Sequence, residues 1–310
     1  MTASKQIPPG RIGLGCATFG REIAEAEAFA VMDHAVKLGI RLFDTAEAYG
    51  GGQAGLTHGE MHSSEKIVGR WMKSRGVRAE IVLLTKVTKD FTRGHVSGAL
   101  TASLERLQTD FADLYLYHAF DAGTPVEEAC IAMDEAVRSG RVRAAGCSNY
   151  TAAQLEEALA MSESRGLARF HVVENAYSLV SRQIEAELLP VAARRGIGVL
   201  AYSPLAAGFL MGKYSPDRSQ WPKGSRFDVI PGHADVYFSD RNFRAVERLK
   251  ELAGRVGLPV ERLAMAWVFQ NPAVDTVLVG ARKTAHLDNA VEARQTELRR
   301  EWLDEIDQWD

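Results

Sequence analysis

Short apolar runs alternate with longer amphipathic stretches along this chain. The strand-like runs are IGLGC (12–16), RLFDT (41–45), IVLLTK (81–86), DLYLYH (113–118), AAGCS (144–148), HVVEN (171–175), GVLAYS (198–203) and DTVLVG (275–280). Their apolarity is continuous rather than alternating, which suits strands of a parallel sheet covered on both faces. Helical spacing of apolar residues covers 25–39, 63–73, 96–107, 126–140, 151–166, 184–196, 240–257 and 284–294, with an additional helix over 259–270 and a closing one over 297–309. Gly39 reads as a C′ residue and Thr151 as an N-cap. Two stretches break the rhythm. Residues 50–62 are glycine-rich, and residues 206–240 lack periodicity and carry Pro216, Pro222 and Pro231. Both read as lids or binding loops, or as partly disordered segments.

Eight β–α alternations in 310 residues predict an α/β protein, a (β/α)8 TIM barrel with long substrate-side loops, in a single domain spanning 1–310. A doubly wound fold of this length usually divides in two, and no linker is visible. GLGCATFG (13–20) does not match the dinucleotide fingerprint and no helix follows it directly. With 46% hydrophobic and 25% charged residues, the chain can build a sizeable core. A net charge of −3 gives no basic field for nucleic acid or an anionic membrane. Cys16, Cys130 and Cys147 show no CxxC spacing and read as reduced thiols. The first ten residues lack the apolar run of a signal peptide, and no stretch approaches a membrane span of about 20 apolar residues. The expectation is a soluble cytoplasmic protein.

Active sites of such barrels lie at the C-terminal ends of the strands. There the second strand ends at Asp44, the third at Lys86 and the fourth at His118, with Tyr49 in the turn after Asp44. Singly, each has a structural alternative: an ion pair, a rim charge, a hydrogen-bonded histidine, a packed phenol. Together they can do general acid chemistry. A tyrosine, with an ordinary pKa of about 10, keeps its proton at neutral pH and can give it to a carbonyl oxygen as hydride reaches the carbon. Lys86 would stabilise the phenolate and lower that pKa, Asp44 would hold Lys86 charged, and His118 would orient the carbonyl. Glu47 is given no role.

FDTAEAYG, LLTK, DLYLYH and GCSNY occur in the order and spacing of the aldo-keto reductases, and nearly the whole chain resembles that family. The resemblance implies a (β/α)8 barrel reducing aldehydes and ketones with NADPH, and a catalytic tetrad of Asp44, Tyr49, Lys86 and His118. It also implies that Ser148 and Asn149 bind the nicotinamide carboxamide and that Tyr202 stacks on the ring. Ser203, Leu205 and Gly208 would line the pyrophosphate, with Lys213 approaching it. GARKTAH (280–286) resembles the adenosine-phosphate segment. Beginning at Gly280, it would offer Arg282 and Lys283 to the 2′-phosphate, favouring NADPH, with His286 at the pocket border. The alternative is a solvated basic turn.

Departures are visible. The family commonly has a glutamine contacting the carboxamide where this chain has Glu174, which could only accept there when ionised. The family's adenine-contacting asparagine would fall near Ala290, and Asn289 could substitute. Ala119 stands where a larger polar residue is frequent. Phe19, Phe91, Phe120, Trp221 and Phe227 could form an apolar substrate wall or be core packing. His58 and His62 are four apart, but the acid is not placed as in HExxH, so no metal is assigned. The partner expected is a small-molecule carbonyl substrate, not nucleic acid or membrane; the substrate's identity and the oligomeric state are not legible. The competing reading is a non-catalytic NADP-binding regulatory subunit resembling the potassium-channel β-subunits. A metal-dependent hydrolase is disfavoured, since no HxH follows the first strand.

Overall fold

The computed structural model describes residues 12–50 and 60–309. Eight parallel strands close into a barrel in sequence order: β1 (Ile12–Gly15), β2 (Leu42–Asp44), β3 (Val82–Val87), β4 (Ala112–Tyr117), β5 (Val142–Ser148), β6 (Phe170–Ala176), β7 (Gly198–Tyr202) and β8 (Thr276–Gly280). The pairing of β8 with β1 completes the ring, with Gly15 opposite Gly280. The protein is thus a (β/α)8 barrel, as the eightfold rhythm predicts.

Side chains alternate inward and outward along each strand. Inward, Leu42, Leu84, Leu114, Leu116, Ala144, Val172, Leu200 and Leu278 fill the barrel as one buried cluster. Outward, Leu83, Tyr115, Tyr117, Val173 and Ala201 join the larger core under the helices. Both faces are apolar, which is why the sequence shows continuous runs rather than alternation. Gly13 and Gly146 leave room in the filling: a Cβ on Gly13 would lie 2.7 Å from Leu278, and one on Gly146 2.6 Å from Val172.

The connecting helices are α1 (Glu25–Lys37), α2 (Ser63–Arg75), α3 (Arg93–Leu107), α4 (Val126–Arg138), α5 (Ala152–Arg165) and α6 (Leu188–Arg195). Thr151 caps α5, accepting from Gln154 N–H while the Gln154 side chain returns to the Thr151 N–H. Gly39 follows α1 with φ +79°, the left-handed stop expected of it. The helix expected over 184–196 begins only at Leu188. Pro190 is the reason: it fits a first turn but would break a helix that had started earlier.

Residues 206–240 are not an open loop. They form 3₁₀ turns at Ala206–Met211, Arg218–Gln220 and Pro231–His233 and the single-turn helices α7 (Arg226–Val229) and α8 (Ala234–Tyr237). Elements this short show no period. An aromatic cluster of Phe209, Tyr214, Trp221, Phe227, Tyr237 and Phe238 holds them together. Then come α9 (Asp240–Val256), α10 (Val260–Gln270), α11 (Thr284–Gln295) and α12 (Arg300–Ile306). Of the glycine-rich stretch, 51–59 lies outside the described residues, His58 with it. Cys16, Cys130 and Cys147 are buried free thiols. No helix among the described residues is long and apolar enough to cross a membrane.

Candidate active site

Inward-pointing positions at the C-terminal strand ends bring the chemistry together. Asp44 comes from β2, Lys86 from β3, His118 just past β4, Ser148 from β5, Glu174 from β6 and Tyr202 from β7. Lys86 is fully buried and is the hub. Its Nζ donates to Asp44 Oδ1, to the Thr45 carbonyl at 3.3 Å and to the Tyr49 hydroxyl at 3.3 Å. Glu174 Oε1 lies 3.2 Å from the same nitrogen. The Tyr49 and His118 rings meet edge-on, their centroids 5.4 Å apart.

The turn carrying Tyr49 is clipped to β3. Glu47 N–H donates to the Lys86 carbonyl at 3.1 Å, and the Glu47 carboxylate accepts Thr88 N–H at 2.7 Å. His62, just before α2, adds a contact from Nδ1 to the Glu47 carbonyl. Sequence reasoning left Glu47 without a role. Its function is to fix the turn, and only the neighbouring strand reveals it.

Electrostatics follow from burial. Burial works against the Lys86 charge, but Asp44, Glu174 and Tyr49 outweigh it and hold its pKa well above the ordinary value. Burial also raises Asp44, with Lys86 pulling it back. The Tyr49 hydroxyl departs from expectation. Lys86 does lower its pKa, but burial and then the Asp44 and Glu174 carboxylates leave it raised. The phenol is therefore a firmly protonated donor, not a softened one. His118 is pushed down to about 3, by burial first and by Lys86 second. Its imidazole is neutral, and Nδ1 has no hydrogen-bond partner among the described residues.

Glu174 has a neighbour that its place in the sequence did not suggest: its carboxyl group is the second one on Lys86. Ser148 and Asn149 stand beside it. Asn149 adopts a left-handed backbone (φ +58°), donates from Nδ2 to the His118 carbonyl at 2.9 Å and accepts from the Tyr202 hydroxyl at 2.7 Å. This fixes the Asn149 amide and the Tyr202 ring in one network.

After β7, Ser203 is again left-handed (φ +56°), as are Ala206, Ala207 and Gly208. The Ser203 side chain hydrogen-bonds Tyr237. Leu205 opens the 3₁₀ turn. Strain concentrated in one turn suits a backbone shaped for a ligand. Past β8, Arg282 donates from Nη1 to the Gly224 carbonyl at 2.9 Å, and its N–H donates to His286 Nδ1 at 3.2 Å. Lys283 is exposed at the start of α11, with Gly280 exposed before it and Asn289 half-buried on the helix. Burial and then Arg282 lower the Lys213 pKa. Burial and then Arg282, Lys283 and Lys213 lower that of His286. These cations repel one another at one spot, which is where an anion fits. Glu22, buried against Arg21 at 2.9 Å and paired with Arg226, ties the β1–α1 loop to the 206–240 segment.

The apolar wall is largely corrected. Phe19 and Phe227 are fully buried, Phe91 is 1% exposed and stacks on Tyr117 behind β4, and Trp221 sits in the aromatic cluster with its Nε1 donating to the Ser215 carbonyl. These rings are core. Phe120 remains half-buried after β4, edge-on to Tyr150.

A closed parallel barrel with a buried Asp–Lys–Tyr set at its C-terminal mouth is the frame of a barrel oxidoreductase. The model of the aldo/keto reductase family matches residues 11–310, and the chain belongs to that family. It is 35% identical to the uncharacterized oxidoreductase YrpG of Bacillus subtilis (strain 168), over 94% of this chain and 90% of that one. It is 33% identical to the aldo-keto reductase YhdN of the same organism, over 92% and 85%. A probable voltage-gated potassium channel subunit beta of Oryza sativa subsp. japonica is 34% identical, over 86% and 81%.

Proposed function

We propose that this oxidoreductase reduces aldehydes or ketones to alcohols with NADPH, Tyr49 acting as general acid. The observation that carries the reading is the position of Lys86 Nζ, 3.3 Å from the Tyr49 hydroxyl and tied to Asp44 away from water. NADPH, when bound, supplies the hydride. The residues present suit it. Lys213, Arg282 and Lys283 offer the pyrophosphate and 2′-phosphate a cluster of unneutralised charge, with His286 and Asn289 at its edge. Ser148 and the pre-oriented Asn149 would hold the carboxamide, Tyr202 would offer its ring to the nicotinamide, and Ser203, Leu205 and Gly208 would flank the pyrophosphate.

The chain's own work is proton placement. Tyr49 keeps its proton until negative charge builds on the carbonyl oxygen, then gives it up. Lys86 stabilises the phenolate left behind, and Asp44 keeps Lys86 charged and in place. Neutral His118 can hydrogen-bond the carbonyl without competing as a cation. General acid catalysis of this kind is worth about 10²–10⁴-fold in rate.

NADPH oxidation against a panel of aldehydes and ketones tests the reading. Wild-type protein should turn over, and Tyr49→Phe should lose at least about 100-fold in kcat while still binding NADPH. Full activity in Tyr49→Phe would remove the acid assignment. The rice relative motivates a second reading, a nucleotide-binding regulatory subunit. NADPH binding without turnover of any carbonyl would favour it.

A further inference from the structure

The second carboxylate on Lys86 is unbalanced. Glu174 is 1% exposed; its Oε1 meets the ammonium at 3.2 Å, and its buried Oε2 has no hydrogen-bond partner among the described residues. Lys86 has three protons to give, and four acceptors compete for them: Asp44 in the closest contact, Glu174 Oε1, and the Thr45 carbonyl and Tyr49 hydroxyl at 3.3 Å each.

Consider what else faces this carboxyl. Asp44 on β2, Lys86 on β3, Tyr49 from the turn after β2 and Tyr202 on β7 feel its charge or lend it theirs. Cys16 after β1 and His118 after β4 face the lysine. Among these, Lys86 is the one cation. The phenols and the Cys16 thiol keep their protons, all raised by burial, and His118 is neutral. With both carboxylates ionised, the set would carry one net negative charge out of reach of water, with one oxygen unpaired. That is costly, and a proton removes the cost.

We propose that Glu174 is held as the neutral carboxylic acid, a positioning residue that leaves Lys86 to Asp44 and Tyr49 and presents an O–H donor to the nicotinamide carboxamide. Asp44, closer to the ammonium, keeps its charge. The carboxamide half of the proposal rests on the reductase reading; the proton on Glu174 does not. A protonated acid offers a donor and an acceptor, so, like the glutamine common at this place in the family, it can both donate and accept. Burial first and Asp44 second push the Glu174 carboxyl up to about 8. The acid form therefore prevails at neutral pH and is lost as pH rises through that value, adding a negative charge beside Tyr49.

The proton is tested on the full chain without cofactor. In wild-type protein carrying ¹³C-labelled glutamate carboxyls, one resonance should titrate with a midpoint about 8, and it should be absent from Glu174→Gln. If every glutamate carboxyl titrates in the ordinary range, the proposal is overturned, and this needs no variant to fold. The donor is tested by NADPH fluorescence titration. Wild-type affinity should weaken about tenfold from pH 7 to 9.5, the worth of one hydrogen bond, while Glu174→Gln stays within about twofold. Parallel pH profiles for the two proteins would sink the donor role. A resonance near pH 8 with no NADPH binding at any pH would keep the proton on Glu174 and overturn the reductase reading instead.

Discussion

Two layers of the barrel interior lie two residues apart on the same strands. The lower layer is Leu42, Leu84, Leu116, Val172 and Leu200; the upper is Asp44, Lys86, His118, Glu174 and Tyr202. Both point inward and are largely shielded. The lower layer is apolar filling, each leucine contributing about 1.5–3 kcal/mol through burial. The upper layer puts charges where water barely reaches, tolerable because Asp44 and Lys86 neutralise each other and Glu174 sheds its charge. One step of the strand alternation thus separates stability from chemistry. The same low polarity beneath the site strengthens every interaction above it.

Three substitutions sharpen that contrast, from the largest effect to the smallest. Lys86→Met removes the hub and leaves the buried Asp44 carboxylate without its cation. Stability should fall by about 3–5 kcal/mol in urea titration, and turnover should become undetectable. A variant of wild-type stability would mean that the upper layer does not depend on this cation.

Leu116→Ala, one step below His118, should cost about 2–5 kcal/mol of stability through the cavity it leaves. NADPH affinity at low temperature should hardly change. A selective loss of affinity with little loss of stability would show that the two layers are not separable.

His118 gives the smallest effect at neutral pH, and its pH dependence fixes a sign. Its pKa is 6.5 in the unfolded chain and about 3 in the folded one, so the unfolded chain binds the extra proton between those values. The stability tied to this histidine is complete above pH 6.5 and is lost as pH falls toward 3, at about 1.4 kcal/mol per pH unit. Relative to His118→Asn, wild-type protein should therefore melt progressively earlier as the buffer is acidified. Parallel melting curves would show that the imidazole is not held neutral.

Much of this was written in the order of residues. Eight apolar runs with helical spacing between them specify the barrel, because each strand needs a helix over its outer face. Thr151 and Gly39 mark helix ends through purely local geometry. Asp44, Tyr49, Lys86 and His118 were legible as a set because a barrel gathers strand ends at one mouth, whatever lies between them in sequence. Tertiary structure decided the rest. Phe19, Phe91 and Trp221 read equally as wall or core until their neighbours buried them. The turns of 206–240 were too short to show a period and are held by aromatic rings scattered along the segment. Whether Lys86 would lower the Tyr49 pKa depended on how far burial and two carboxylates opposed it, a sum over several strands. Glu174 read as a glutamine substitute; that it also meets a lysine three strands away appeared only in the closed barrel. Local propensity and periodicity travel with the chain; desolvation and the pairing of distant charges exist only once the barrel has closed.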